Sequence, residues 1–397
     1  MATPRADSCS APSGAVLACG RAAPSGLPSW VSSAVSGRWG TVPVAAALST
    51  LDPKLNASLN PNYSGDPEWY GGTGFVSVAS TWCGGCFDAA NDVFWMPLQG
   101  GHGDYAGNEP YKLELNKEAP NWTMVRPPSG AIGNLLTTND GQEASGVYAD
   151  GRPRATHSYN KPVYVPNVGP MLAMLGATAW SAGGGQNKPV LVDPVTGEGT
   201  LGAVNSLLSG ATSGMGACFD PTRGAQGSIW VRGVGTGRFH RYDVAADSWV
   251  QNIGPSSSSS GYCGLAYMPE HDCILWMDGG GFRVLDCAAA TLHTPTFSGT
   301  PFGATGTGQP IWVNGKAYLW NHATNTTLID RITPGSNPRT DTWTIDQLSV
   351  DGGNSTTPTA RTTEGTYGRF WYSENLGLFF LFNSVSGSIY FFKPSAL

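Results

Sequence analysis

The sequence is poor in charge and in long apolar runs. Charged residues make up 13% of its 397 residues, about half the usual fraction of roughly 25%. Intrinsic disorder needs low hydrophobicity together with high charge, and a chain with 11% aromatic residues has the opposite composition. No run reaches the ~18 apolar residues of a membrane-spanning helix, so no membrane span is expected.

Clusters of basic residues are also missing. The formal net charge is −6, and no group of lysines and arginines offsets it. Because nucleic-acid binding depends on neutralising phosphates with Lys and Arg, nucleic acid is not expected as a partner. Long runs of Ala, Glu, Lys and Leu are absent as well, which excludes a coiled coil or a helical bundle.

Cysteine is scarce. The eight cysteines are too few for a fold held together by disulfides. Cys83 and Cys86 form a Cys-Gly-Gly-Cys pair, but no second pair with similar spacing follows to complete a zinc site. We interpret the cysteines as reduced core residues, with a local disulfide or a metal site as alternatives, and we expect no cofactor and no metal.

The first 48 residues show no basic segment followed by an apolar segment, which is the pattern of a secretory signal. A cytosolic chain, a chain exported by another route and a virion-associated or extracellular protein are all compatible with this. The localisation is therefore unknown.

Glycine and aromatic residues are present in excess. The chain contains 54 Gly, 29 Pro and 14 each of Trp, Tyr and Phe. A turn-rich and aromatic-rich composition without helical runs favours an all-β fold.

A unit of four short strands recurs along the chain. The clearest copy, residues 75–127, has apolar stretches at Cys86, 93–98, 110–115 and 122–125. Four-stranded units that repeat every ~40–50 residues are typical of β-propeller blades. The other predicted blades are residues 153–204, 211–254, 261–298, 302–350 and 360–394.

The last copy lacks a fourth strand, and a segment near the start of the chain supplies one. Residues 37–43 have the Trp-led pattern of the outer strands at Trp122 and Trp249. We predict a single β-propeller over residues 37–397, with six four-stranded blades closed by this N-terminal strand, after an arm of residues 1–36. Seven blades remain an alternative if residues 44–74 or 128–152 contain a degenerate copy.

The Gly-Gly doublet ending at Gly101, with Tyr111 and Trp122 after it, looks like a Kelch repeat. The stretches GGHGDYAGNEPYKLEL and RPRATHSYNKPVYVP resemble Kelch-type propeller proteins of bacteria and phages. More loosely, they resemble propeller-type polysaccharide lyases such as ulvan lyases.

Three functions follow from these resemblances. The first is a recognition module that binds a glycan or a protein partner, such as a phage virion or tail protein that binds host surface polysaccharide or other virion proteins. The second is a polysaccharide lyase acting on uronate-containing glycans by β-elimination. The third is a structural interaction protein.

Ligand-binding candidates lie where the predicted inner strands begin. If the first strand of each blade lines the channel, Trp82, Tyr262 and Tyr367 stand at its mouth with Arg361. Aromatic faces suit sugar rings, and arginine suits uronate carboxylates. The alternative is that these side chains only fill the channel.

A second group of candidates follows the Gly-Gly doublet. Asp104, Tyr105 and Asn108 come directly after His102 in a glycine-rich loop, where a ligand can approach the backbone closely. The alternative is that the polar side chains of this loop fix it by hydrogen bonds to the backbone.

The lyase reading needs a base, a cation for the carboxylate and an acid for the leaving oxygen. The resemblance to propeller lyases implies that these roles fall to two His, a Tyr and an Arg. His102 and His157 match the two histidines in order. For the tyrosine the candidates are Tyr159 and Tyr262, and for the arginine they are Arg154 and Arg238. The candidate catalytic set is His102, His157, Tyr159 and Arg154.

Overall fold

The chain is an all-β protein built from six sheets. The structure, a computed structural model, describes residues 26–56, 58–59, 71–101, 103–129, 147–148, 150–175, 188–208, 214–232, 237–257, 261–279, 281–299 and 306–397. None of the helices in these ranges is long and apolar enough to cross a membrane. The helical segments are short: Ser29–Ser32, Leu48–Leu51, Gly74–Val76, Ser77–Ser80, Ser206–Leu208 and Pro269–His271.

The first strand, β1 (Arg38–Thr41), belongs to the last sheet, and three complete antiparallel sheets follow it. Blade 1 contains β2 (Cys86–Asp88), β3 (Val93–Met96), β4 (Tyr111–Glu114) and β5 (Trp122–Met124). Blade 2 contains β6 (Pro162–Val165), β7 (Gly169–Leu175), β8 (Lys188–Val192) and β9 (Gly199–Leu201). Blade 3 contains β10 (Gly216–Asp220), β11 (Ser228–Arg232), β12 (Phe239–Asp243) and β13 (Ser248–Ile253).

The second half of the chain repeats the arrangement. Blade 4 contains β14 (Cys263–Met268), β15 (Cys273–Asp278), β16 (Gly281–Asp286) and β17 (Thr291–His293). Blade 5 contains β19 (Ile311–Val313), β20 (Lys316–Leu319), β21 (Asp330–Thr333) and β22 (Trp343–Gln347), and β18 (Phe297–Gly299) adds to its outer edge in parallel with β22. Blade 6 contains β23 (Phe370–Ser373), β24 (Leu378–Phe382) and β25 (Ile389–Lys393), with β1 outside them.

The N-terminal strand closes the ring, as predicted. β1 pairs antiparallel with β25, and Trp39 stands opposite Phe392. The buried indole of Trp39 donates from Nε1 to the carbonyl of Thr327 in blade 5, at 2.8 Å. β1 therefore supplies the outer strand that the last blade would otherwise lack and joins the two ends of the chain in one sheet. This confirms the predicted closure by an N-terminal strand.

The ring has six blades rather than seven. Consecutive blades contact one another through their inner strands, and blade 6 packs directly on blade 1. At that junction Phe94 stacks on Trp371 with ring centroids 3.9 Å apart, and the Ser373 hydroxyl donates to Asp92. No gap for a seventh sheet remains between these two blades.

The segment before β1 packs on the ring. The helix Ser29–Ser32 buries Val31, and the ring centroid of Trp30 lies 5.6 Å from that of Phe391 in blade 6. The Trp30 indole donates to the carbonyl of Lys117 at 2.9 Å. Residues 29–32 thus contact both blade 6 and blade 1.

The blades come so close together at the axis that five of the six residues there are glycines. We name as the axis ring the one residue that each blade places there, either just before its inner strand or at the start of it: Gly84, Asn160, Gly216, Gly264, Gly308 and Gly368. A Cβ atom on Gly84, Gly216 or Gly368 would overlap the backbone of a neighbouring blade. Asn160 donates from Nδ2 to the carbonyls of Cys263 and Gly308, at 2.9 and 3.3 Å, and closes the channel at this level.

The axis ring divides the channel into two halves. One half opens on the loop face, which carries the connections that lead into the inner strands. The other opens on the hairpin face, which carries the turns joining the first and second strand of each blade. Two separate surfaces are therefore available for ligands.

Candidate functional site

Four aromatic side chains meet on the loop face, directly above the axis ring. We call Trp82, Tyr159, Tyr262 and Tyr367 the aromatic cluster; they come from blades 1, 2, 4 and 6. The ring of Tyr159 stacks on that of Tyr262 with centroids 5.7 Å apart, and Tyr367 lies 5.8 and 6.2 Å from these two rings. Trp82 donates from Nε1 to the Tyr262 hydroxyl at 3.0 Å.

The backbone of this cluster has an uncommon conformation. Trp82, Tyr159 and Tyr367 have φ of 50°, 48° and 47°, in the left-handed region that bulky residues rarely adopt. Hydrogen bonds between blades hold them there, because Tyr159 N donates to the Trp82 carbonyl and Tyr367 N to that of Thr307, each at 2.7 Å. Residues held in such conformations occur often at ligand sites.

Exposure differs within the cluster. Tyr159 is 4% exposed and Tyr367 is completely buried, whereas Trp82 and Tyr262 are partly exposed. The two buried tyrosines therefore form a floor, and the Trp82–Tyr262 pair presents the surface that a ligand can reach.

His157 borders this surface and is fixed by a carboxylate. Its Nε2 lies 2.8 Å from Oδ2 of Asp104, and its ring centroid lies 4.9 Å from that of Trp82. The other oxygen of Asp104 accepts from the Thr73 hydroxyl at 2.6 Å. The His157 side chain is only 5% exposed and that of Asp104 is 20% exposed, so Asp104 is the more accessible of the two.

Tyr105 lies inside the protein, in a network that includes Glu109. The hydroxyls of Tyr105 and Tyr111 both donate to Oε1 of Glu109, and all three side chains are buried. Burial raises the pKa of Glu109 to about 7, and the two tyrosine hydrogen bonds oppose that rise. Tyr105 therefore supports the loop instead of facing a ligand.

Asn108 and Arg154 are also buried and bonded to the backbone. Asn108 donates from Nδ2 to the Ser129 hydroxyl and the Pro153 carbonyl, both at 2.9 Å. Arg154 donates from Nε to the carbonyl of Val147 at 2.9 Å. Asn108 thus attaches the segment around residue 153 to blade 1, and Arg154 connects the same segment to Val147. Both contacts support the loop structure.

The remaining candidates are distributed around the same face. Arg361 is partly exposed and donates from Nη1 to the carbonyls of Thr362 and Thr363. Arg238 donates to the Gly254 carbonyl at 3.2 Å. His102 lies outside the described residues. The structure thus brings together Trp82, His157, Tyr159, Tyr262 and Tyr367 with Asp104, and it does not bring Tyr105, Asn108 or Arg154 to their surface.

Sequence reasoning missed a buried lysine beneath the aromatic cluster. Lys161 is completely buried, its Nζ lies 5.4 Å from the Tyr159 ring centroid, and no hydrogen-bond partner for it occurs within the described residues. Burial lowers its pKa to about 7. The available signal was a lysine directly before an apolar inner strand, in the stretch Asn160-Lys161-Pro162.

The six cysteines in the described ranges are buried free thiols. Cys83 and Cys86 are among them, so no disulfide joins the two residues of the Cys-Gly-Gly-Cys pair. Burial raises the pKa of the Cys83 thiol to about 11. The same ranges contain no group of three or more His, Cys, Asp or Glu side chains arranged to hold a metal ion.

The sequence matches no protein-family model and no curated protein. Among solved structures, it is similar to a structural genomics protein of unknown function from Bacteroides thetaiotaomicron, at 11% identity and a TM-score of 0.46, over 89% of this chain and 74% of that chain. The Malassezia sympodialis allergen Mala s 1 gives 10% identity and a TM-score of 0.43, over 82% of this chain and 96% of that chain.

An auxiliary nutrient binding protein from Bacteroides ovatus gives 12% identity and a TM-score of 0.36, over 60% of this chain and 57% of that chain. Likenesses at these identities and scores carry no functional information. The assignment as a six-bladed β-propeller rests on the six sheets and their closure.

Proposed function

We propose that this protein is a recognition module that binds a glycan on its loop face, at the aromatic cluster. The partly exposed rings of Trp82 and Tyr262 carry this proposal. Their hydrogen bond fixes both rings in position before a ligand arrives, which reduces the ordering cost of binding. Flat aromatic faces pack well against the C–H faces of sugar rings. Ligand sites are lined mostly by apolar and aromatic side chains, and this pair of rings fits that description.

Polar groups beside the rings supply the specificity in this proposal. The accessible carboxylate of Asp104 is a hydrogen-bond acceptor for sugar hydroxyls, and it is already oriented by His157 and Thr73. Arg361 lies in the loop that leads to Tyr367 and provides a cation for an acidic sugar. We propose a polymer that contains uronate or another anionic sugar as the preferred ligand class.

The setting that we propose is a phage virion or tail, in which the propeller binds host surface polysaccharide. The two Kelch-like stretches around residues 100–115 and 152–166 support this proposal. In it, residues 1–36 form an arm that precedes the propeller, and the other virion proteins are the alternative partners.

The competing proposal is a polysaccharide lyase. The pair formed by His157 and Asp104 favours it, because a carboxylate that orients an imidazole is a common arrangement for a general base. Arg154, which the lyase proposal assigns to the substrate carboxylate, instead donates to the Val147 carbonyl, and this weighs against it. We therefore rank binding above catalysis.

A polysaccharide panel tests both proposals. The full chain is applied to an array of acidic and neutral glycans, and in parallel it is incubated with the same polymers in solution. The binding proposal expects retention on at least one acidic glycan, with no rise in the ultraviolet absorbance of unsaturated products. Absorbance that grows with time would favour the lyase, and failure to bind any glycan would overturn the binding proposal.

A further inference from the structure

A second cavity opens on the hairpin face, on the other side of the axis ring from the aromatic cluster. Its volume is about 430 Å³, and residues from the inner strands of all six blades line it. This volume lies within the ~300–1,000 Å³ range of small-molecule sites. Because the axis ring closes the channel between the two faces, a ligand here would not contact the proposed glycan site.

Eight aromatic residues line this cavity, and every inner strand contributes at least one of them. We call six of them, one from each inner strand, the aromatic collar: Phe87, Tyr164, Phe219, Tyr267, Trp312 and Tyr372. The other two are Phe370 and Trp371, which precede Tyr372 in β23. Five of them are partly exposed, and only Tyr267 is buried. Most rings of the collar are therefore partly accessible from the cavity. The other residues that line the cavity are mainly aliphatic or small.

The polar ends of two collar residues donate to carboxylates. Trp312 donates from Nε1 to Glu270 at 2.9 Å, and the Tyr267 hydroxyl donates to Asp272 at 3.2 Å. Burial and the carboxylate of Asp88 raise the pKa of the Tyr164 hydroxyl. A ring whose N–H or O–H donates to an anion becomes richer in electrons, and its face therefore attracts a cation more strongly.

The lining of the cavity carries a negative charge. Among the described residues that line it, Glu374 alone is charged. The nearby guanidinium of Arg223 lies between Asp220 and Asp272, with N–O distances of 2.7 and 2.6 Å, so two carboxylates offset its charge. The local field therefore favours a cation and disfavours an anion.

We propose that this cavity binds an organic cation, namely a tertiary or quaternary ammonium group carried on an apolar body. The ammonium group lies against the faces of the aromatic collar, where cation–π attraction replaces part of its hydration. The apolar body fills the aliphatic part of the cavity. This site is independent of the proposed glycan site and goes beyond it.

The test uses three probes with the same six-carbon chain. Hexyltrimethylammonium is the cation, hexanesulfonate is the anion and hexan-1-ol is the neutral reference. Titration calorimetry on the full chain is expected to give at least about tenfold tighter binding for the cation than for the other two, equivalent to about 1.4 kcal/mol. Ring currents from the collar are expected to move the N-methyl proton resonances of the bound cation upfield.

Two variants locate the binding. Trp312→Leu removes the largest ring of the collar and is expected to weaken hexyltrimethylammonium binding about tenfold. Glu374→Gln changes an exposed side chain, preserves the fold, and is expected to weaken binding about threefold. Trp82→Leu, which removes a partly exposed tryptophan on the loop face, is the matched control and is expected to leave binding unchanged.

Three outcomes would overturn the proposal. One is the absence of measurable hexyltrimethylammonium binding to the wild-type chain. Another is equally tight binding of hexanesulfonate or hexan-1-ol. The third is binding of the cation that neither Trp312→Leu nor Glu374→Gln weakens. Far-ultraviolet circular dichroism verifies that each variant is folded before it is titrated.

Discussion

His157 Nε2 lies 2.8 Å from Oδ2 of Asp104, although the two residues are 53 positions apart in the chain. The same carboxylate accepts a hydrogen bond from Thr73, so one side chain connects three segments of the loop face. The ring of His157 then rests against Trp82. The position of the partly exposed Trp82 therefore depends on a partly buried polar contact behind it.

Replacing Asp104 by Asn is expected to destabilise this arrangement. The amide cannot provide the charge-assisted bond to His157 and the bond to Thr73 with equal strength, so we expect a loss of about 1–3 kcal/mol in the free energy of unfolding. Urea denaturation of the wild type and the variant measures this difference in the free energy of unfolding. Asp150→Asn, at an exposed position, is the control. Equal stability of Asp104→Asn and the wild type would refute the role assigned to this carboxylate.

Glu109 is expected to make stability fall as the pH rises. Its pKa is raised to about 7 in the folded chain, so between about pH 4.5 and 7 the folded state binds more protons than the unfolded state. Stability from this group is complete below about pH 4.5 and is lost as the pH passes 7. At 1.36 kcal/mol per pKa unit, the loss is on the order of 3 kcal/mol.

The matching variant is Glu109→Gln, which keeps an acceptor for Tyr105 and Tyr111 but does not titrate in this range. Urea denaturation at pH 5 and pH 8 is expected to give a smaller decrease for the variant than for the wild type. The same decrease in both proteins would show that another group causes the pH dependence.

Lys161 is expected to make the stability of the fold rise with pH, which is opposite to the effect of Glu109. Its pKa falls from 10.5 to about 7 on burial, so the unfolded state binds more protons between about pH 7 and 10.5, and stability rises with pH in that window. Lys161→Met, which removes a buried amine, is expected to be more stable than the wild type at pH 7 by about 1–3 kcal/mol. The gain is expected to shrink at pH 9.5.

Thermal or urea denaturation at the two pH values measures this difference. Lys316→Met, at a partly exposed lysine, is the matched control and is expected to change stability by less than about 0.5 kcal/mol. If Lys161→Met were less stable than the wild type at pH 7, the lysine would have to make a favourable interaction that outweighs its burial.

A methyl group in the axis ring is expected to disrupt the fold. In Gly84→Ala the new Cβ would overlap the Tyr159 carbonyl and approach the Gly368 backbone. We expect a loss of about 3 kcal/mol or more, since backbone of two neighbouring blades must move. Gly352→Ala, where no atom lies within 4 Å of the added Cβ, is the control and is expected to be neutral. A stable Gly84→Ala variant would mean that the inner strands are less tightly packed than described.

The blade pattern was predictable because it depends on local and repeating signals. The tryptophans at positions 39, 122, 249 and 343 mark outer strands in the sequence, and each lies at the first or second position of such a strand in the structure. The starts of the inner strands were predicted by the same symmetry. For this reason Trp82, Tyr262 and Tyr367 were selected as channel residues, and they lie together above the axis.

Other parts of the site could not be predicted from the sequence. The sequence suggests Arg154 as a partner for an anionic ligand, but its side chain donates to the Val147 carbonyl instead. Val147 lies in a connecting loop without a regular sequence pattern, so this contact could not be predicted. The aromatic collar was missed because, in the sequence, each of its members has the pattern of an ordinary core residue of a strand. Only the closed ring, which sets six such residues around one axis, distinguishes a cavity lining from a core.

The affinity of the wild type, Trp82→Leu and Trp312→Leu for one acidic polysaccharide tests the central claim most directly. Both variants replace a partly exposed tryptophan by leucine, on opposite faces of the same propeller. Titration calorimetry is expected to show binding weakened about tenfold or more by Trp82→Leu and unchanged by Trp312→Leu. Binding that only Trp312→Leu weakens would contradict the proposal that the loop face holds the glycan.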